Sequence, residues 1–100
     1  MARHQLAPEV ESELDEIWFR IASESGSLEI ADRLIDSITS RFWILAKNPH
    51  IGRRRDQDLR AELRSFPVGE YVILYRIQMK SVLILHVIHG AQDLPKLLSS

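Results

Sequence analysis

The 100-residue chain has no cysteine, which removes disulfide scaffolds, thiolate metal sites and cysteine nucleophiles and fits a reducing cytoplasm. It has only four glycines, and neither a phosphate-cradling glycine loop nor a nucleophile elbow can be read around them; a metalloprotease helix is missing too. Its histidines, His4, His50, His86 and His89, lack the i, i+4 spacing of a helical metal pair. The step of three from His86 to His89 on a strand points them to opposite faces. No metal and no cofactor is therefore expected. Residues 1–20 carry Glu9, Glu11, Glu13, Asp15 and Glu16 and no uninterrupted apolar stretch, so neither a signal peptide nor a membrane span is expected, and the default location is cytoplasmic. Internal repeats, low-complexity segments and linkers are absent as well. One domain over residues 1–100 is the natural expectation for this length.

What the chain does contain is an ordinary globular composition, 45% hydrophobic and 27% charged, and an uneven charge. Residues 1–46 hold nine acids and four bases, a local charge of −5; residues 47–100 hold nine bases and five acids, a local charge of +4. The basic side gathers in Arg53, Arg54, Arg55, Arg60 and Arg64. Such a cluster is either a solvated loop or a surface for an acidic partner or nucleic acid. A core this small leaves much of its surface in water, so a bound partner can supply part of the stability.

Periodicity gives the organisation. Residues 3–6 read as a short extended start, and Pro8 suits the first turn of a helix because its missing N–H is not needed there. Val10, Leu14, Ile17, Trp18 and Ile21 recur at helical spacing, with early acids favouring the positive helix start, although Ala7 is a poor cap. Ser23 to Ser27, with Gly26, reads as a break, and Ser27 can cap a second helix. Ile30, Leu34, Ile38, Phe42 and Leu45, flanked by Ala31, Ile35 and Ala46, form its apolar stripe up to Lys47-Asn48-Pro49. The two helices read as an antiparallel hairpin, with Trp18 and Trp43 in its core or seam. Ile51 to Arg60 reads as a loop. Leu63–Phe66, Tyr71–Ile77 and Val82–His89 then read as a three-stranded antiparallel meander, turned at Pro67-Val68-Gly69 and at residues 78–81. The expected class is α+β, with the helices on one sheet face.

The strands are apolar on both faces, with Tyr71, Ile73, Tyr75 and Ile77 on one and Val72 and Leu74 on the other. Helices on one side cannot cover both. The sheet therefore either curls on itself or offers its second face to something else. Leu94 to Leu98 is either a short helix or an ordered tail. For chemistry, metal-free RNA cleavage needs a base for the 2′-hydroxyl, an acid for the leaving oxygen and cations for the phosphorane. Arg64, Arg76, His86 and His89 are the candidates, against the plainer reading of strand histidines as structural or interfacial.

Six segments carry a family resemblance: Leu6-Ala7-Pro8-Glu9-Val10-Glu11, Leu14-Asp15-Glu16-Ile17-Trp18, Ala31-Asp32-Arg33-Leu34-Ile35-Asp36, Asn48-Pro49-His50-Ile51-Gly52-Arg53, the run from Leu63 to Arg76, and His89-Gly90-Ala91-Gln92-Asp93-Leu94. In this order, over nearly the whole chain, they resemble the ParE-type toxins of the ParE/RelE superfamily. The resemblance implies the toxin of a type II toxin–antitoxin system, with DNA gyrase as the usual target. It also implies a ParD-like antitoxin in a hetero-oligomer, its C-terminal segment wrapped across the hairpin and sheet, and no sequence-specific DNA binding by the toxin. Target or antitoxin contacts are then expected at Arg53, Arg54, Arg55, Arg60, Arg64, Tyr75, Arg76, His89, Leu94 and Leu98. The related RelE branch cuts ribosome-bound message with basic residues on the sheet and basic or tyrosine residues near the C-terminus. Arg64 matches one such position. After Gly90, however, the chain has only Gln92, Asp93 and Lys96 beside two terminal serines, which favours binding over catalysis. An endoribonuclease and a degenerate interaction module are the two alternatives.

Overall fold

The computed structural model describes residues 3–92 and 94–98. Asp93, Ser99 and Ser100, which entered the reading of the C-terminus, lie outside them. Strand β1 (His4–Leu6) leads into helix α1 (Pro8–Ser25), helix α2 (Leu28–Lys47) and a single 3₁₀ turn at Pro49–Ile51. Strands β2 (Arg53–Arg54), β3 (Arg64–Val68), β4 (Tyr71–Gln78) and β5 (Ser81–His89) follow, and helix α3 (Leu94–Leu98) closes the order. The sheet runs β1-β5-β4-β3-β2; β1 lies parallel to β5, with His4 opposite Val82, and every other pairing is antiparallel. No helix among the described residues is long and apolar enough to cross a membrane.

Local signals explain the helices. Pro8 opens α1 with Glu9 and Glu11 in the first turn, and Ala7 supplies no side-chain cap. Helix α1 runs three residues into the expected break: only Gly26, left-handed at φ 69°, and Ser27 separate the helices, because glycine takes that conformation without a Cβ penalty. The Ser27 hydroxyl then accepts from the N–H of Ile30 at 3.2 Å, giving α2 the cap that α1 lacks.

The helices cover one sheet face. Val10 and Ile17 from α1 and Ile38, Phe42 and Leu45 from α2 meet Ile73, Tyr75, Val82, Ile84 and Val87 in the main core. Trp18 stands at the hairpin seam, its indole N–H on Asp32 at 2.7 Å. Trp43 departs from expectation: it is 58% exposed, because the α2 stripe from Ile38 to Leu45 rotates past it. Ile30, expected in that stripe, is also largely exposed; it sits in the first turn of α2, beside the connection between the helices.

The second sheet face takes neither of the two expected solutions. Leu63, Leu74, Ile88 and Leu94 form a separate core with Leu59, Val72, Leu85 and Leu98 packed against it. The chain's own loop and the short α3 helix thus cover the face, and the sheet does not close on itself, with β1 and β2 at its two edges. Two further differences concern edges. Arg53 and Arg54, expected in a loop, pair with Ser65 and Arg64 as a two-residue edge strand. The hairpin between β3 and β4 turns at Gly69-Glu70, starting two residues later than expected, so Pro67 and Val68 belong to β3.

Candidate functional site

Four of the five clustered arginines are held by their surroundings rather than left free. Arg55 clasps the carboxylate of Asp58 through Nε and Nη2, at 2.9 and 2.6 Å, and reaches the hydroxyl of the buried Ser65 at 3.1 Å. Arg54 donates to Asp56 at 3.0 Å, and the same carboxylate receives the N–H of Glu62 at 3.1 Å. Hydrogen bonding to the arginines holds the Asp56 and Asp58 carboxyls below the usual carboxylate range and raises Arg54 and Arg55 in return. The exchange is expected of charge-assisted pairs. Arg60 donates to the carbonyl of Leu98 at 2.8 Å, tying the loop to the end of α3. Arg64 donates to the carbonyls of Gly52, at 2.9 Å, and His50, at 3.3 Å. Only Arg53 projects into solvent without a hydrogen bond or ion pair among the described residues, and its charge still acts on Asp58.

Beneath this loop stands Tyr75, fully buried. Its hydroxyl donates to the carbonyl of Pro49 at 2.6 Å and accepts the N–H of Gly52 at 2.9 Å, while burial raises its pKa. A Cβ on residue 52 would collide with the Tyr75 hydroxyl and ring, so glycine is required there for close approach. Tyr75 was expected at a binding surface; the structure makes it the post on which residues 49–52 rest. Leu94 is likewise buried and Leu98 partly so, both serving the second core.

Midway along their length, β4 and β5 slip by one residue: Tyr75 faces Ile84 but Leu74 faces His86. This bulge redirects His86, as bulges do. His86 Nδ1 lies 2.8 Å from a Glu13 carboxylate oxygen, and the other oxygen accepts the N–H of Val87 at 2.9 Å. His89 sets its ring edge-on to Tyr71 at 5.4 Å, and Arg20 donates to the Tyr71 hydroxyl from α1. Both histidines thus address groups on the α1 side, contrary to the opposite faces expected of an unbroken strand. Glu13, Glu16 and Arg20 of α1 face His89 and Gln92 across an open groove of about 700 Å³. The spacing of Glu9, Glu13, Glu16 and Arg20 was visible in the sequence; its partner strand was not.

The four candidates for RNA cleavage do not converge. Arg64 pairs with Tyr75 and His89 with Tyr71, four residues apart on β4, or about 13 Å along a strand. Arg76 follows Tyr75 on β4 and is exposed, so strand alternation sends it to the other face.

Comparison with known proteins gives this arrangement a family. The sequence profile of the family described as "ParE toxin of type II toxin-antitoxin system, parDE" matches residues 5–94. The chain belongs to the ParE toxin family. Toxin ParE3 of Caulobacter vibrioides is 35% identical over 85 residues, covering 85% of this chain and 83% of that protein. Toxin RelE3 of the same organism is 39% identical over 62 residues, covering 62% of this chain and 67% of its own length. A solved structure described as a chromosomal ParDE system from P. aeruginosa superposes with a TM-score of 0.76 at 18% identity, over 89% of this chain and 96% of that one. The family fold of one strand, two helices and an antiparallel sheet is therefore shared, and this chain is a type II toxin by family.

Proposed function

We propose that this toxin acts by binding a protein target, DNA gyrase as is usual for its family, and that a ParD-like antitoxin neutralises it. The observation that carries this reading is the dispersal of Arg64, Arg76, His86 and His89. General acid–base cleavage needs its groups within hydrogen-bond reach of one phosphate, whereas Arg64 is engaged with backbone carbonyls and His86 with Glu13. The arginine loop, fixed by Asp56, Asp58 and Tyr75, offers instead a shaped cationic surface of the kind that favours rapid association with an acidic partner.

The similarity to Toxin RelE3 supports one second reading, a metal-free ribosome-dependent endoribonuclease. A paired assay separates the two. The chain is induced alone, and supercoiling by purified gyrase is measured beside cleavage of translated message. Inhibited supercoiling with intact message is the expected result; active gyrase with cut message would refute the binding reading.

A further inference from the structure

Carboxylates are missing from two long stretches of the chain, residues 37–55 and 71–92, and the fold brings parts of both to one end of the sheet. There α2 finishes at Lys47, and the turn from β4 to β5 carries Met79 and Lys80. The Arg3 carbonyl takes the Val82 N–H at 3.0 Å, which seats the start of the chain beside them. Two neighbouring hollows mark the place. One, of about 360 Å³, lies among Arg3, His4, Trp43 and Lys80; the other, of about 450 Å³, lies among Lys47, His50, Met79 and Lys80. No carboxylate lines either of them. Arg3, Lys47 and Lys80 are exposed, and none joins an ion pair among the described residues. Lys47 also offsets the carbonyl end of α2; Arg3 and Lys80 have no such use. The opposite end carries the other sign. Helix α1 runs from β1 past Val87 to Tyr71, so Glu24 and Glu29, which flank the connection of the helices, and Glu70 in the β3–β4 turn lie away from the cations, all exposed. A charge distribution of this kind steers a polyanion to the cationic end.

We infer that this end of the toxin grips the phosphate backbone of duplex DNA, independently of its sequence, while the rest of the molecule sits on gyrase. The inference rests on the gyrase reading above and adds a second contact to it. Lysine presents a point charge that suits the diffuse field of a phosphodiester chain, whereas planar carboxylates are better met by an arginine fork; two of the three cations here are lysines. An anionic bilayer also answers to the charge, but it needs a broad apolar face to enter it, and here Met79 alone stands fully clear of the fold. Three phosphate contacts are few. At about −0.9 each they give log K against log salt a slope of about −2.7, so a fourfold rise in salt weakens binding about 40-fold, and the free toxin holds DNA only weakly. On gyrase the duplex is already beside the toxin, and a weak second contact then acts at a high effective concentration.

The test has two arms. In the first, the free chain is titrated with short duplexes of unrelated sequence over a range of salt, followed by fluorescence anisotropy and by NMR shifts of the Trp43 indole N–H and the Lys80 and Ser81 amides. Equal affinity for all sequences, a slope of about −2.7 and shifts at that end are expected. Arg3→Gln, Lys47→Gln and Lys80→Gln, at exposed positions, should melt as the parent does and each reduce the slope by about 0.9; Arg33→Gln, whose arginine pairs with Glu29, should not. In the second arm, affinity for purified gyrase is measured with and without bound duplex. The parent should gain about tenfold from the DNA and the triple glutamine variant nothing, while both bind gyrase alone equally. A triple variant that loses gyrase without DNA makes this end a protein contact and overturns the inference. So does a free chain that binds no duplex, a loss that maps to Arg53→Gln or Arg76→Gln instead, or equal binding to polyglutamate or to phosphatidylglycerol vesicles; each leaves the gyrase reading standing. A parent that binds gyrase in neither state overturns that reading and the inference with it.

Discussion

Replacing Tyr75 by phenylalanine tests how the arginine loop is held. The change deletes one oxygen that both donates to Pro49 and accepts from Gly52, at a side chain with no exposure. Each bond contributes about 0.5–1.5 kcal/mol net, and a buried N–H left unpaired at Gly52 adds to the cost, so about 2–3 kcal/mol is expected in all. For a domain of this size each kcal/mol lowers the melting temperature by about 4–8 °C, which gives a loss of about 8–24 °C in a calorimetric or circular-dichroism melt. Gly52→Ala should destabilise independently by about 1–3 kcal/mol through overpacking. In the double variant the two costs should fall short of their sum, because the missing hydroxyl gives part of the new methyl its space; coupling between touching residues is about 0.5–3 kcal/mol. A Tyr75→Phe protein within about 0.5 kcal/mol of the parent, or strictly additive costs, would refute the buttress, since a mere surface change has effects of that size.

Three further outcomes are expected. Burial depresses the His4 pKa below its ordinary 6.5, so the folded state disfavours the imidazolium; stability is complete above pH 6.5 and falls as the pH drops through the folded value, because the unfolded chain takes up the proton first. Urea midpoints at pH 7.5 and 5.5 should show this decline, and His4→Phe should flatten it. Glu13→Ala removes the acceptor of the Val87 N–H and the partner of His86, which should cost about 1–3 kcal/mol and speed exchange of the Val87 amide; unchanged exchange would show that the carboxylate does not seal that edge. Leu94→Ala opens the second core and should cost about 2 kcal/mol, near the low end for buried leucines because the site lies at the rim, with increased binding of a hydrophobic dye.

The sequence revealed most of what periodicity encodes. Both helices and the β3–β5 meander appear in the expected order, since Val10, Ile17, Ile38 and Phe42 keep helical spacing and the strand residues alternate. It did not reveal the cover of the second face, because Leu59, Leu63, Leu94 and Leu98 are scattered over short segments with no period of their own. Nor did it show that Trp43 is exposed, for a residue one step off the stripe cannot be distinguished by spacing alone. At the candidate site the arginines were conspicuous, but their state was not: Asp56 and Asp58 pair with Arg54 and Arg55 inside the loop, while Tyr75, distant along the chain, anchors residues 49–52 beside it. The bulge that redirects His86 is likewise a feature of pairing, written in two strands together and in neither alone.

The pairing of His4 with Val82 has a consequence for the order of synthesis. The first strand waits for nearly the whole chain before its neighbour exists, and Val10, Ile17, Ile38 and Phe42 wait equally for the strands they pack on. Contacts so distant along the chain slow folding, because a long loop must close before they are rewarded. During translation the helical hairpin therefore emerges with its apolar side uncovered, and the completed shape arises only after residue 89 has left the ribosome. A polypeptide partner already present has that interval in which to meet the newborn chain.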